Sequence, residues 1–214
     1  MNNHKYIAIE GPIGVGKTSL AEILAKKLNA RLILEGAEEN PFISTFYKDM
    51  SKHAFQTQLF FLLSRYRQQQ EMIQSDLFQQ GMVSDYIFAK DRLFANLTLD
   101  DNELKLYDQI HSILNGRVLK PDFVIYLQAS TDVLLKRISM RGRKFESQIT
   151  AEYLAELNQA YNYYFFHYQE TPLMVVNTSE IDFVHRDADL DDLLNHMGKV
   201  TKGTVYYQPV SVKK

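Results

Sequence analysis

Residues Gly11-Pro12-Ile13-Gly14-Val15-Gly16-Lys17-Thr18 spell the Walker A pattern Gly-x4-Gly-Lys-Thr. Glycines at these spacings let backbone N–H groups turn inward and cradle phosphate oxygens, and a following helix adds its partial positive N-terminus. Lys17 then reaches the β- and γ-phosphates of ATP, and Thr18 holds Mg²⁺. Two carboxylates and a basic cluster accompany the loop. Glu35 follows the strand-like run Arg31–Leu34, apolar from Leu32 on, and Asp85 follows Met82–Ser84. A carboxylate at the C-terminal end of a buried parallel strand faces the ligand crevice. There Glu35 suits a general base for a hydroxyl acceptor, and Asp85 suits Mg²⁺ held through water. Both positions also have plainer readings, a solvated turn residue for Glu35 and a helix N-cap for Asp85. Arg137, Arg141, Arg143 and Lys144 place four cations in eight residues around Gly142. Arg137 and Arg141 are four apart and share a helix face. Such a cluster is suited to closing over transferred phosphates, or to a solvated helix end that matches the macrodipole.

These groups need a scaffold that brings strand ends together. Tyr6–Ile9, Arg31–Leu34, Met82–Ser84, Phe123–Leu127 and Leu173–Val176 are short and apolar on both faces, as strands of a covered parallel sheet are. Helical stretches alternate with them. Ser19–Asn29 carries Leu20, Leu24 and Leu28 on one face; a second runs from about His53 to Gln80. Asp100 and Glu103 form a capping box that opens a helix to about Leu114. Thr131 caps a helix into Arg141, and Thr150 caps one through Tyr168. The expected fold is an α/β three-layer P-loop kinase fold, with a five-stranded parallel sheet flanked by helices. Residues 1–200 make one domain with an arginine-rich lid at about 137–146, and 201–214 form a C-terminal tail whose Val205-Tyr206-Tyr207 either adds an edge strand or hangs loose.

Composition narrows the class. The 214 residues suit one domain, and 45% apolar with 23% charged residues is the balance of a soluble globular chain. A net charge of −2 gives no drive toward nucleic acid or an anionic membrane. No apolar run spans a bilayer, and no signal-peptide core follows Met1. The absence of cysteine excludes disulfides and thiolate metal sites. The six histidines have no metal-ligand spacing. A cytoplasmic protein fits these features. Asp-x-x-Gly and Asn-Lys-x-Asp, which regulatory GTPases need, are both missing. A small-molecule kinase remains. Phe60–Leu63 and the aromatic run Tyr161–Tyr168 read mainly as core.

Taken together, the motifs resemble the deoxyribonucleoside kinase family from Tyr6 to about Asp192. The resemblance rests on Ile9 to Thr18, Glu35, Glu39-Asn40-Pro41-Phe42, Phe46-Tyr47, Phe55-Gln56-Thr57-Gln58, Ser64-Arg65-Tyr66-Arg67 and the Arg141-Gly142-Arg143 lid. It implies that Glu35 is the base for the sugar 5′-hydroxyl. It places the 3′-hydroxyl readers on Tyr47 and Glu146, a base-edge amide on Gln58, and a further base-facing pair on Arg65 and Asp91. It gives the loop opened by Asn177 a place over adenine, and it implies a homodimer formed through helices. One departure stands out. Many members carry Glu/Asp-Arg-Ser after strand three, whereas here Tyr86 follows Asp85. Lys90 is available to supply the missing charge, and Ser84-Asp85-Tyr86-x3-Lys90 is similar to the bacterial deoxyguanosine kinase branch. The expected reaction is transfer of the ATP γ-phosphate to the 5′-hydroxyl of a purine deoxyribonucleoside, deoxyguanosine ahead of deoxyadenosine, in nucleotide salvage. The alternatives are a thymidylate-type nucleoside monophosphate kinase and a non-catalytic nucleotide sensor.

Overall fold

Tyr6–Glu10 is buried at every position, and this strand, β1, is the centre of the sheet. The computed structural model describes residues 4–75 and 81–209. Around β1 stand β2 (Arg31–Ile33), β3 (Met82–Ser84), β4 (Phe123–Gln128), β5 (Leu173–Asn177) and β6 (Thr204–Tyr207). They form one sheet in the order β2-β3-β1-β4-β5-β6. Every pairing is parallel, with Ile7 opposite both Val83 and Phe123. Ala8, Ile9, Val83, Val124, Ile125, Leu127, Leu173 and Val176 are buried, which is why these strands read as continuous apolar runs.

The sheet has six strands, not the expected five. Residues Thr204–Tyr207 of the expected tail pair with β5, Val205 opposite Met174 and Tyr206 opposite Val175. The tyrosine hydroxyl of Tyr207 donates to Asp192, which ties the new edge to the helix before it.

The helices flanking the sheet are α1 (Lys17–Leu28), α2 (Ile43–Phe46), α3 (Met50–Ser75), α4 (Lys90–Thr98), α5 (Asp101–Asn115), α6 (Thr131–Arg141), α7 (Ala151–Phe166) and α8 (Asp187–Met197). Leu20, Leu24, Ala21 and Ala25 bury the inner face of α1. The capping box forms as read: Asp100 accepts from the Asn102 and Glu103 N–H groups, and Glu103 answers the Asp100 N–H. Thr150 likewise caps α7 through the Tyr153 N–H. Thr131 is the first residue of α6 rather than its cap, which is Ser130. The end of α3 expected at residues 76–80 lies outside the described residues, as do 210–214.

β1 crosses to β2 on one side, and β3 crosses back past β1 to β4 on the other. The reversal opens a crevice at the C-terminal ends of β1 and β3, the usual ligand position in a doubly wound sheet.

Candidate active site

The phosphate loop occupies that crevice. Gly11 has φ +152°, and a Cβ there would lie 2.4 Å from the Leu127 carbonyl oxygen, so the loop can pass β4 only with glycine. Gly16 caps α1 in the left-handed region with no side-chain cap and no acidic residue in the first turn, leaving the helix N-terminus open to an anion. Lys17 is folded back on its own loop, with Nζ donating to the carbonyl oxygens of Gly11 at 2.7 Å and Pro12 at 3.1 Å. Burial and the nearby Lys90 push its pKa down to about 8, against the pull of Glu10, Glu35 and Asp85.

Three strand ends supply carboxylates. Asp85 is not a helix cap, since α4 starts only at Lys90. Its Oδ2 accepts from the Thr18 hydroxyl at 2.7 Å, and its Oδ1 accepts from the Glu35 N–H at 2.9 Å. Thr18 and Asp85 thus bring two hard oxygen donors together beside the loop, a donor set that fits Mg²⁺, which usually takes one or two protein oxygens and completes its shell with phosphate and water. No cluster of three or more His, Cys, Asp or Glu suited to a metal exists among the described residues, so an all-protein metal cage is not the arrangement here.

Glu35 is not a solvated turn residue. One carboxylate oxygen, Oε1, accepts from the Arg65 guanidinium, and the other, Oε2, accepts from Lys90 Nζ at 3.0 Å. Burial alone would raise its pKa, but the Arg65 and Lys90 cations hold it well below the usual carboxylate range. Arg65 also donates to Asp91, so its fork joins two acids on different elements. Gln58, Phe61 and Arg65 lie at helical spacings three and four on α3 and line one cleft. Asn40 holds this wall by donating to the Thr57 carbonyl at 3.1 Å and accepting from the Phe42 N–H at 3.0 Å, a physical role for the Asn40-Pro41-Phe42 motif.

The basic cluster divides. Arg141 makes a two-point contact with Glu146, Nη2 to Oε1 at 2.5 Å and Nε to Oε2 at 3.2 Å. Arg143 stands 3.6 Å from Glu38 across the cleft. Arg137 faces away from them. Its guanidinium donates to Thr178 Oγ1 at 2.9 Å, to the Thr178 carbonyl at 2.7 Å and to the Val15 carbonyl at 3.3 Å. It ties the loop after β5 to the phosphate loop and does not line the cleft.

The cleft, about 140 Å³, is lined by Lys17, Thr18, Glu35, Tyr47, Gln58, Arg65, Asp85, Lys90, Arg141, Arg143 and Glu146 from the sequence-predicted set. Asp91 lies under Arg65, fully buried. Asn177 ends β5 and accepts from the Ser179 N–H at 3.0 Å, outside the cleft. Phe61, expected in the core, lines the cleft with Phe94 and Phe145. Sequence reasoning also passed over Glu10. Fully buried, it accepts from the Gly11 and Ile87 N–H groups at 2.9 Å each and from the Tyr161 hydroxyl at 3.0 Å, with Lys90 at 3.8 Å. The argument applied to Glu35 and Asp85, an acid ending an apolar strand at the ligand edge, applies to it equally. A larger hollow of about 670 Å³ between α4, the end of α5 and α7 contains none of the expected site residues, so chemistry rather than size selects the site.

Comparison with known proteins agrees with this geometry. A family model described as deoxynucleoside kinase matches residues 7–202. The chain is 37% identical over 204 residues to a deoxyguanosine kinase of Bacillus subtilis (strain 168), covering 92% of this chain and 98% of the relative. It is 34% identical over 192 residues to a deoxyadenosine kinase of Lactobacillus acidophilus, covering 83% and 87%. A solved structure of deoxyadenosine kinase from M. mycoides with products dCMP and dCDP bound superposes with a TM-score of 0.78 at 29% identity, covering 90% of this chain and 98% of the other.

Proposed function

We propose, for a chain that belongs to the deoxynucleoside kinase family, that Glu35 takes the proton of a purine deoxyribonucleoside 5′-hydroxyl as that oxygen attacks the γ-phosphorus of ATP. The chain is an ATP-dependent phosphotransferase acting on an alcohol group, and the reading concerns which residues do what. The observation that carries it is one cleft lined by Glu35, by Lys17 and the phosphate loop, and by Gln58 and Arg65, with Asp91 buried behind Arg65. As the 5′-oxygen bonds to phosphorus, the bond to the β–γ bridging oxygen breaks, ADP leaves with that electron pair, and Glu35 keeps the proton. Lys17 leaves the Gly11 and Pro12 carbonyls for the β- and γ-phosphates. Arg141 and Arg143, whose forks suit phosphate oxygens, neutralise the charge that builds there. Mg²⁺, when bound by Thr18 and Asp85, supplies Lewis-acid stabilisation of the phosphate oxygens. Tyr47 and Glu146 face the sugar end, where the 3′-hydroxyl is read. Arg137 acts through position alone, by fixing the phosphate loop against the segment that Asn177 opens.

Deoxyguanosine is the proposed first substrate. Its O6 and N7 accept from the Arg65 donors, and its N1–H and N2–H₂ face groups that can accept, such as the Gln58 carbonyl. The similarity to the B. subtilis deoxyguanosine kinase supports this choice. A second reading, deoxyadenosine first, is favoured by Asp91 Oδ2, which is buried with no hydrogen-bond partner and is a ready acceptor for N6–H₂. A panel of four deoxynucleosides and dTMP with ATP–Mg²⁺ tests all of this. Highest kcat/KM with deoxyguanosine supports the first reading, with deoxyadenosine the second. Preference for a pyrimidine nucleoside refutes the purine claim, and turnover of dTMP alone points to a monophosphate kinase. A homodimer is proposed to use the α7 face where Tyr163 and Phe166 stand exposed, and light scattering on the eluting species tests it.

A further inference from the structure

Arg65 holds the two ends of the cleft together. Its two Nη groups are split between carboxylates of different function, Asp91 at the base end and Glu35 at the sugar end. While Arg65 stays there, Glu35 Oε1 carries a charge-assisted hydrogen bond that stabilises its ionised form and makes it a weaker acceptor of a hydroxyl proton. Lys90 occupies Oε2 independently, at 3.0 Å, and is itself steadied by Glu10 at 3.8 Å. Departure of Arg65 therefore would leave Glu35 with one paired oxygen and one free one, not with an unpaired buried charge. The base end is under-satisfied in the same state. Arg65 Nε and Asp91 Oδ2 are both buried with no hydrogen-bond partner, a donor and an acceptor on two residues already joined through Nη1 and Oδ1. Unmet buried polar groups are costly, so a ligand edge that supplies both partners is drawn to them. The guanidinium also lies 4.8 Å from the Phe61 ring and 5.9 Å from the Tyr86 ring, two π-faces that keep it in contact as it turns.

We propose that Arg65 is a latch on the general base: a nucleobase entering the Asp91 end draws the guanidinium off Glu35, which releases Oε1 to take the 5′-hydroxyl proton. Base recognition and base activation are one event, and a sugar that fits the cleft without a nucleobase finds Glu35 already engaged. The inference rests on the assignment of Glu35 as general base. It adds that Arg65 controls kcat as well as KM, through a group it touches at the far end from the base. Selectivity among nucleosides then resides in turnover as well as in binding.

The test divides the substrate into pieces. With saturating ATP–Mg²⁺, the protein should phosphorylate 1,2-dideoxyribose, which keeps the 5′-hydroxyl and lacks the base, at least a hundredfold more slowly at saturation than deoxyguanosine. Adding 9-ethylguanine should raise that rate at least tenfold in the unmodified protein, its binding being confirmed by competition with deoxyguanosine. Arg65→Gln, and Arg65→Gln/Asp91→Asn to avoid a lone buried anion, should raise turnover of the base-free sugar at least tenfold while lowering that of deoxyguanosine. The gain should vanish when Glu35→Gln is added. If 9-ethylguanine binds and leaves the base-free rate unchanged, the latch is refuted, even where neither variant folds. If Glu35→Gln alone turns over deoxyguanosine at the normal rate, the general-base assignment fails, an outcome distinct from failure of the latch.

Discussion

Replacing Lys90 by methionine isolates the least orthodox part of the site. The methionine matches the lysine stem in length and removes one charge. Lys90 Nζ is 3.0 Å from Glu35 Oε2 and 3.8 Å from Glu10 Oε1, and the side chain is 3% exposed. Glu35 keeps Arg65, but Glu10 loses its only nearby cation among the ion pairs of the described residues. Breaking a buried ion pair from one side typically costs about 3–5 kcal/mol, because the remaining charge stays desolvated. For a domain of this size about 1 kcal/mol lowers Tm by roughly 2–4 °C, so Lys90→Met should melt roughly 6–20 °C lower. Lys90→Arg, which keeps the charge, should recover part of that. Loss of the cation that holds one oxygen of Glu35 should also lower kcat, by about 10²–10³-fold. Calorimetry gives Tm, and a double-mutant cycle with Glu35→Gln isolates the pair. The double variant should be more stable than the summed losses by about 0.5–3 kcal/mol. A Lys90→Met protein that melts within about 2 °C of the parent and turns over within about threefold would refute the reasoning, since neither result is compatible with a buried charge left unpaired.

Glu35→Gln should lower kcat by about 10²–10⁴-fold with little change in ATP affinity, because the amide keeps its shape but cannot take the 5′-hydroxyl proton; collapse of ATP binding, followed by titration calorimetry, would move Glu35 to the nucleotide site. The same carboxyl should show in acid stability. Its native pKa lies below the unfolded value of about 4.3, so its stabilisation is complete above that pH and is lost as pH falls further, and denaturant midpoints of Glu35→Gln should decline less steeply in acid than those of the parent. Lys17 sets an alkaline limit. Its pKa is near 8 in the free protein and is raised when phosphates bind, so ATP affinity should be full below that pH and fall by up to about tenfold per unit above it. Lys17→Arg, charged throughout, should bind with a flat profile, and a parallel decline in both would place the titration elsewhere. Arg141→Lys cannot keep the two-point contact with Glu146 and should lose at least about tenfold in kcat, measured at saturating ATP.

Much of the scaffold is legible because its constraints are local. Gly11, Gly14 and Gly16 sit where φ is positive, and Asp100 and Thr150 satisfy orphan N–H groups within their own turns. What escapes reading depends on partners far along the chain. Thr204–Tyr207 has three of four residues exposed and no amphipathic signal strong enough to separate a strand from a tail; its pairing with β5, thirty-one residues upstream, decides the matter. Arg137 and Arg141 share a helix face by spacing, but long side chains near a helix end can diverge, and the acceptors at Val15 and Thr178 that capture Arg137 lie 122 and 41 residues away. Phe61 stands in the apolar run Leu59–Leu63, where periodicity cannot tell a cleft wall from a core. Glu10 is hidden for the same reason: its partners are at Ile87 and Tyr161.

The departure at Tyr86 shows how a site can move a charge without losing its balance. Tyr86 is fully buried, its hydroxyl donating to Gln68 at 2.8 Å, and it lies beneath the Arg65 guanidinium. An arginine there would place a second guanidinium in the apolar layer under the first. Lys90 instead enters at the first turn of α4, four residues on, and the segment leading into that turn is fixed to β1 by the Ile87 N–H to Glu10 contact. The charge thus reaches Glu35 from α4, separate from the α3 wall that carries Arg65. Two cations on separate elements can act separately. Under the proposed reading this is what lets one of them leave for the nucleobase while the other keeps Glu35 ionised and oriented. A single arginine bridging both oxygens of Glu35 would have to hold or release them together.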